Sequence, residues 1–579
     1  MNQLQPSSRG LVDRFFSLVE SIPGSDRLLV RVAFSAVIIT GIWLAFALNS
    51  DHSTDTPTYG GTITEGILGT PRFVNPVLAL TRADQDVTAL VYSGLMKINS
   101  DGSLDSDAAE SISVSDDGLT YNINLRRDIL FHDGVPLTAR DVIYTIQLIQ
   151  DPELKSPLRG NWINVIIEEI NDYELNIILE EAYAPFIENF TVGIMPAHLW
   201  SSLPIEQLPF SLLNTEPVGS GPFTVTNAGH DASGLIDHYT LKAFADSIVN
   251  PKIETVELAF YQNEDLLVEA FKNKEVDATT YIPTELIETL KGNEYQLIEK
   301  PLPRTFGIFF NQNRSVLLRD LSARKALTVA VDRSILIEKT LFGHGVPIYG
   351  PMTILQPAIE SEEGVNEVAT GTPAERATTI LTDGDWSKNN LGLWEKKIDE
   401  EVVTLNVTLR TSNNPLFETL VDEVASQWRA IGVEVTTEQF EQSGLVQSVI
   451  RPRDFEALLF GLDMSRSYDL YPFWHSSQQN DPGLNVSQYA NVSTDELLET
   501  ARTEQSEPAR HIALQEAGTI ISEEYPAVFL FQPSLTYLVH EDITVASMNS
   551  LGRPADRFSN VADWHTKSVS LWPLFRNEN

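Results

Sequence analysis

Residues 131–142 read FHDGVPLTARDV, and the run continues through IYTIQLIQDP to residue 152. His132-Asp133-Gly134 has the composition of a tight turn. Thr138-Ala139-Arg140-Asp141 has that of a helix start, with an acid three residues after the cap. A helix is predicted from there to Asp151-Pro152, where proline stops it. Just upstream, Leu119, Tyr121, Ile123 and Leu125 alternate with polar residues, the period of a half-buried strand. Strand, turn and capped helix in this order set the pattern for the chain.

Working outward, Tyr173 to Leu179 reads as another strand, and Val218-Gly219-Ser220-Gly221-Pro222-Phe223 as a glycine turn entering one. A helix is expected over 320–343, capped by Asp320 or Ser322 and ended by Gly343. A second carries Phe417, Leu420, Val421, Val424, Trp428 and Ile431 on one face and stops at Gly432, with a strand from Val433. A third is expected from Ser493, with Glu496 completing a capping box. Helices and strands alternate throughout, so a mixed α/β architecture is expected.

The chain has 579 residues, enough for about four domains of ~150 residues or a few large lobes. With 80 acidic against 40 basic residues, its net charge is −40, which repels phosphate backbones and argues against nucleic-acid binding. There is no cysteine, which excludes thiol nucleophiles, disulfides, cysteine-ligated zinc and a lipid-modified cysteine. His132, His198, His344 and His475 lack metal-ligand spacing, and no HExxH, GxSxG, Walker or GxGxxG motif occurs. No catalytic residue, metal or cofactor is expected.

Residues 32–48, VAFSAVIITGIWLAFAL, are uncharged and mostly apolar, with Arg27 and Arg31 before them and Asp51 and Asp55 after. From Leu28 the run is long enough to span a membrane as a helix. The basic flank places its N-terminal end in the cytoplasm. Ala45-Phe46-Ala47 also resembles a signal-peptidase site, so a cleaved segment is the alternative to a retained anchor. Residues 1–27 would be a cytoplasmic tail, 28–48 the anchor, and 49–58, NSDHSTDTPT, a polar tether.

Residues 468–478 concentrate rings and polar groups: Tyr468, Asp469, Tyr471, Phe473, Trp474, His475, Ser476, Ser477 and Gln478. Such a mixture suits a ligand cleft and equally a core aromatic cluster.

Several stretches together resemble the family 5 extracellular solute-binding proteins of ABC importers, the peptide-binding group. Ser115 to Tyr121 with Leu125-Arg126 is similar to the family's DDGLTYTFHLR block, and Phe131 to Val142 to its FHDGTPLTAEDV run. Val218–Phe223 is similar to VGTGPY. Phe310-Asn311, Asp320, Arg324, Ala326 and Ala330 to Arg333 resemble FN…D…RQA…AIDR. Trp474 to Gln478 with Leu484-Asn485 resembles PYPFWHSSQ…GLNY. The matches run in family order from about Gly60 to Val539.

The resemblance implies a two-lobed periplasmic-binding-protein-like fold of the large, peptide-binding class, preceded here by the N-terminal transmembrane helix. Lobe I is expected over 59–300 with an inserted subdomain, lobe II over 301–533, and a return to lobe I over 534–579. Crossings are expected near Glu299–Thr305 and Leu530–Tyr537. The implied function is extracytoplasmic capture of a peptide or similar small solute between the lobes, and delivery to an ABC permease with its own ATPase. Trp474, Phe473 and His475 would form the cleft wall, and Asp469 or Arg466 the end-group contact. Arg466 would stand where classical peptide binders carry the aspartate that holds the peptide amine, which puts free-amine recognition in doubt. Leu80, Thr81 and Arg82 would be a ligand-facing loop, and Asn311 a contact near the crossing. A sensor ectodomain of the same fold, without a transporter, is the alternative, and an anchored hydrolase using acidic residues a remoter one.

Overall fold

In a computed structural model the described residues are 23–571 except 53, 291, 293, 353–370, 399 and 465, so most of the expected cytoplasmic tail lies outside them. The chain divides into two compact units, residues up to Tyr59 with those from Lys567 on, and Gly60–Thr566.

The first unit holds the helix Gly24–His52, 29 residues long, with Leu28, Leu29, Val37, Ile39, Ile42, Trp43 and Phe46 all exposed. Among the described residues no helix is long and apolar enough to cross a membrane; the side chains of Ala45 and Leu48, within the apolar run, lie outside that description. The expected tether is more ordered than its composition suggests. Its first residues continue the helix, and Thr54–Pro57 form a strand paired antiparallel with Ser568–Leu571. A polar stretch becomes a strand when a distant segment satisfies its backbone groups.

The second unit is built on a sheet of 12 strands. Strand Thr62–Leu68 lies parallel to Thr255–Tyr261. The 14-residue strand Ala527–His540 pairs through its first half with Arg304–Phe310 and through its second with Tyr295–Pro301. The two segments in which crossings are expected pair side by side: Glu299 is opposite Thr536, and Phe306 opposite Phe531.

Four hydrophobic cores flank these strands. One joins Ile63–Ile287 positions to Leu535–Trp564, and another draws on Val77–Leu208. The other two draw on positions between Phe306 and Phe531. Among the described residues, no buried member of the first pair of cores comes from 306–531.

The expected elements form largely for the expected reasons. Thr120–Leu125 is a strand with Tyr121, Ile123 and Leu125 buried, and Glu174–Ile178 pairs with it. The helix after the HDG turn runs Ala139–Gln150; the Asp141 carboxylate accepts the Thr138 N–H at 2.8 Å and its hydroxyl at 3.0 Å. Gly219 and Gly221 are required by closeness, because a Cβ on either would strike the Val91 backbone. Pro415–Ala430 is the second amphipathic helix, with Leu420, Val421, Val424 and Trp428 buried and Gly432 turning the chain at φ +96°.

Two helices differ from expectation. The single helix over 320–343 is two, Leu321–Val329 and Arg333–Leu341. Asp332 takes the Ile335 N–H at 3.1 Å and starts a new helix instead of continuing the old one. The helix expected from Ser493 is Val492–Thr503, capped by the Asn491 side chain on Thr494 N–H at 3.1 Å. Asp495, in its first turn, bonds outward to Ser476.

Candidate functional site

Strand Ala457–Asp463 leads into the aromatic segment. Tyr468 takes a positive φ of 53°, and Pro472 opens a single helical turn, Tyr471–Trp474. That turn sends alternate rings to different surroundings. Trp474, 2% exposed, packs on Phe309, Tyr489 and Phe529 in a core, and Phe473 lies in the same cluster. Tyr471 and His475 stack at 4.1 Å. His475 Nδ1 is 2.8 Å from Ser477 Oγ, and its Nε2 is 3.4 Å from Glu499.

The charged members of the segment meet residues from distant parts of the chain. Asp469 accepts the Tyr183 hydroxyl at 3.1 Å, the Arg502 Nε–H at 3.1 Å and the Tyr471 N–H at 3.1 Å. The Arg502 guanidinium lies over both the Tyr183 ring (4.7 Å) and the Tyr471 ring (4.1 Å). Cation–ring contact and a charge-assisted hydrogen bond thus act on one arginine. Arg466 forms an ion pair with Asp556. Asp556 also accepts the N–H groups of Gly552 (2.8 Å) and Arg553 (3.0 Å). Burial alone would raise the Asp556 carboxyl, but the charges of Arg553 and Arg466 and these hydrogen bonds outweigh it and hold it below its ordinary value.

Glu188 completes the array. Burial pushes its carboxyl up to about 7, against the opposing charge of Arg466 and hydrogen bonds from Ser467. It borders a cavity of about 200 Å³ together with Leu80, Gln85, Thr88, Asn189 and Arg553. Tyr183 and Glu188 flank and enter the 3₁₀ turn Ala184–Thr191, and Arg553–Asp556 begin the turn at 554–558. Both turns contribute to the first pair of cores, while 468–474 belong to the second pair. The array therefore joins segments whose apolar packing is separate.

Of the residues expected at a site, Asp469 and Arg466 lie in this array and Leu80 at its cavity. Thr81 caps the helix Arg82–Val91, exchanging hydrogen bonds with Asp84, and Arg82 rests over the Tyr281 ring at 4.4 Å. Asn311 is buried, donating to the Arg453 carbonyl at 3.0 Å and accepting the Asn313 N–H at 3.1 Å. His132 holds the glycine turn: its Nε2 is 3.1 Å from the Gly221 carbonyl and its Nδ1 accepts the Gly219 N–H at 3.3 Å. Burial lowers its pKa to about 4, so the neutral tautomer those two bonds require is the one present at neutral pH.

Tyr183, Glu188, Arg502 and Asp556 were not legible beforehand. So was a second group: Arg557 pairs with Glu65 at 2.9 Å and Asp86 at 2.8 Å, and Tyr537 and Tyr281 donate to those carboxylates. Among the described residues no three His, Asp or Glu side chains are grouped to hold a metal ion.

This fold, a mixed α/β body crossed by a long shared strand, is that of the periplasmic peptide-binding proteins. The solved oligopeptide-binding protein AppA from Bacillus subtilis, in complex with a nonapeptide, is similar at TM-score 0.62 and 25% identity, over 88% of this chain and 99% of that one. NikZ from Campylobacter jejuni, in complex with Ni(L-His), has the same fold at TM-score 0.63 and 23% identity, over 87% of this chain and 99% of that one. In sequence, the oligopeptide-binding protein AppA of Bacillus subtilis strain 168 is 26% identical over 518 residues, 86% of this chain and 92% of that protein. Residues 104–482 match the bacterial extracellular solute-binding proteins, family 5, and the chain belongs to that family. The relative AppA is an oligopeptide-binding protein, and NikZ was solved with Ni(L-His) bound.

Proposed function

We propose that this chain is the solute-capture subunit of an ABC importer. It holds a peptide or similar small solute between two lobes and passes it unaltered to a permease driven by a separate ATPase. Lobe I is read as residues 59–300 with the return over 534–579, and lobe II as residues 301–533. The observation that carries this reading is the polar array. Tyr183, Glu188 and Asp556 on one side meet Arg466, Ser467, Asp469 and Arg502 on the other, where no core of the described residues is shared by the two sides. Polar contacts across an unwelded seam open and close at low cost, as hinge closure around a ligand requires. The nonapeptide held by AppA supports a peptide as cargo.

The helix Gly24–His52 is proposed as a retained membrane anchor. Its large apolar side chains Leu28, Leu29, Val32, Val37, Ile39, Ile42, Trp43 and Phe46 are exposed, and the basic residues at its start favour a cytoplasmic N-terminus, leaving the second unit extracytoplasmic. The family relationship supports that location. No nucleophile is needed for such work, and none is proposed.

The test is affinity capture with the purified full-length chain in detergent. A pool of random tetrapeptides is offered, and the retained peptides are weighed by mass spectrometry. Retention of peptides at unchanged mass is expected. Retention of none, or return of cleaved products, would overturn the proposal.

A further inference from the structure

The array contains carboxylates in unlike situations. Asp469 already accepts from Tyr183, Arg502 and a backbone N–H, and Asp556 from two arginines and two backbone groups. Glu188 is different. It forms part of the wall of the 200 Å³ cavity, where Asp469 and Asp556 do not. The groups facing it are Arg466, Ser467 and Asp469 from the 466–469 loop, and Tyr183 from its own turn. Arg466 is turned onto Asp556, and Arg553, which borders the same cavity, has its Nε 3.2 Å from that carboxylate. The positive charge near Glu188 is thus shared with Asp556, while Asp469 repels it.

We propose that Glu188, a residue of the cavity wall beside Leu80, is a specificity-determining residue whose carboxylate receives a positively charged group of the bound solute. This rests on the reading of the chain as a solute binder and names the chemistry of its cargo: an ammonium or guanidinium group. The cavity admits one such group and a short stem, being smaller than the ~300–1,000 Å³ of pockets that take a whole drug-sized ligand. The raised carboxyl fits the assignment. A partly buried carboxylate whose charge is disfavoured by burial gains from an added cation, which restores its charge.

The test uses tetrapeptides in four forms, with and without lysine, each with a free or acetylated N-terminus, in competition for the full-length chain. Wild type should retain positively charged forms on the order of 10- to 100-fold better than acetylated lysine-free ones, the range for a hydrogen-bonded charged group. Glu188→Gln should erase that preference while still retaining neutral peptides, and Glu188→Asp should keep part of it. A measurement on unaltered protein runs in parallel. Lysine stays charged through pH 8 to 5.5, so the preference for acetylated lysine peptides should weaken as pH falls below about 7, where Glu188 takes up a proton. Equal retention of all four forms by wild type would overturn the assignment and leave the binding reading intact. So would an equal loss of all forms in Glu188→Gln with no pH effect in wild type, which would make the residue a closure contact only. Retention of none of the forms by wild type would overturn both.

Discussion

Two groups of arginine, carboxylate and tyrosine occur in this molecule, and the same chemistry serves opposite ends in them. In the first, Arg557 is fully buried between Glu65 and Asp86, with Tyr537 and Tyr281 donating to the acids. Its members come from the strand Thr62–Leu68, the helix Arg82–Val91 and the turn at 554–558, all packed around one core. In the second, Asp469 joins Tyr183 and Arg502, and Arg466 joins Asp556, with side chains up to 31% exposed and drawn from separate cores. The dry group fixes the late segment of the chain onto the strand Thr62–Leu68. The wetter one links surfaces that have no apolar reason to stay together. Burial within one core makes an ion pair a lock; placement across a seam makes it a latch.

The sharpest way to break the comparison is at Arg557. Replacing it with alanine leaves two acids buried without their cation, so unfolding free energy should drop by about 3–5 kcal/mol, read by chemical denaturation. A variant as stable as wild type would show that the first group is not a lock. Trp474→Ala should cost a similar ~3–5 kcal/mol, because the ring fills a core. If instead stability is kept and only solute binding is lost, the ring belongs to the cleft wall.

The latch should behave differently. Asp469→Asn removes a charged acceptor from Tyr183 and Arg502, and about 1.5–3 kcal/mol of closure should be lost. We expect this mainly as faster solute release, with thermal stability little changed, measured by stopped-flow dissociation. Glu188 adds a pH signature. Its folded carboxyl, raised to about 7, holds a proton that the unfolded chain has released above the ordinary glutamate value of 4.5. The native state therefore binds more protons between those values, and stability falls as pH rises through that window. Glu188→Gln should remove this component, seen as a smaller decline from pH 4.5 to 7 in denaturant melts. The smallest effect is at a cap: Thr81→Ala should cost about 1 kcal/mol, without changing solute preference.

How much of this was legible in the sequence follows from the physics of each signal. Thr138 with Asp141, and the alternation over 119–125, are local, and the structure follows them. Asp332 and Asn491 are local too, yet each competes with a neighbouring cap, so one helix became two and another began earlier. At the site, Asp469 could be picked out because rings and histidine surround it, and Arg466 only through the family resemblance. Glu188 and Asp556 could not: among 80 acidic residues nothing local separates a latch from a solvated carboxylate. Trp474 shows the converse, since an aromatic run reads alike whether its rings line a cleft or fill a core.

The absence of cysteine allows a direct look at the seam. A Cβ at Gly118 would lie 2.5 Å from Gln505 Nε2, so the exposed neighbours Asp116 and Glu507 report from either side of it. With dyes on Asp116→Cys and Glu507→Cys in the full-length chain, single-molecule energy transfer should show two populations without solute. Saturation with the retained tetrapeptides should collapse them into the high-transfer one. A single distance that saturating peptide leaves unchanged would contradict the clamp.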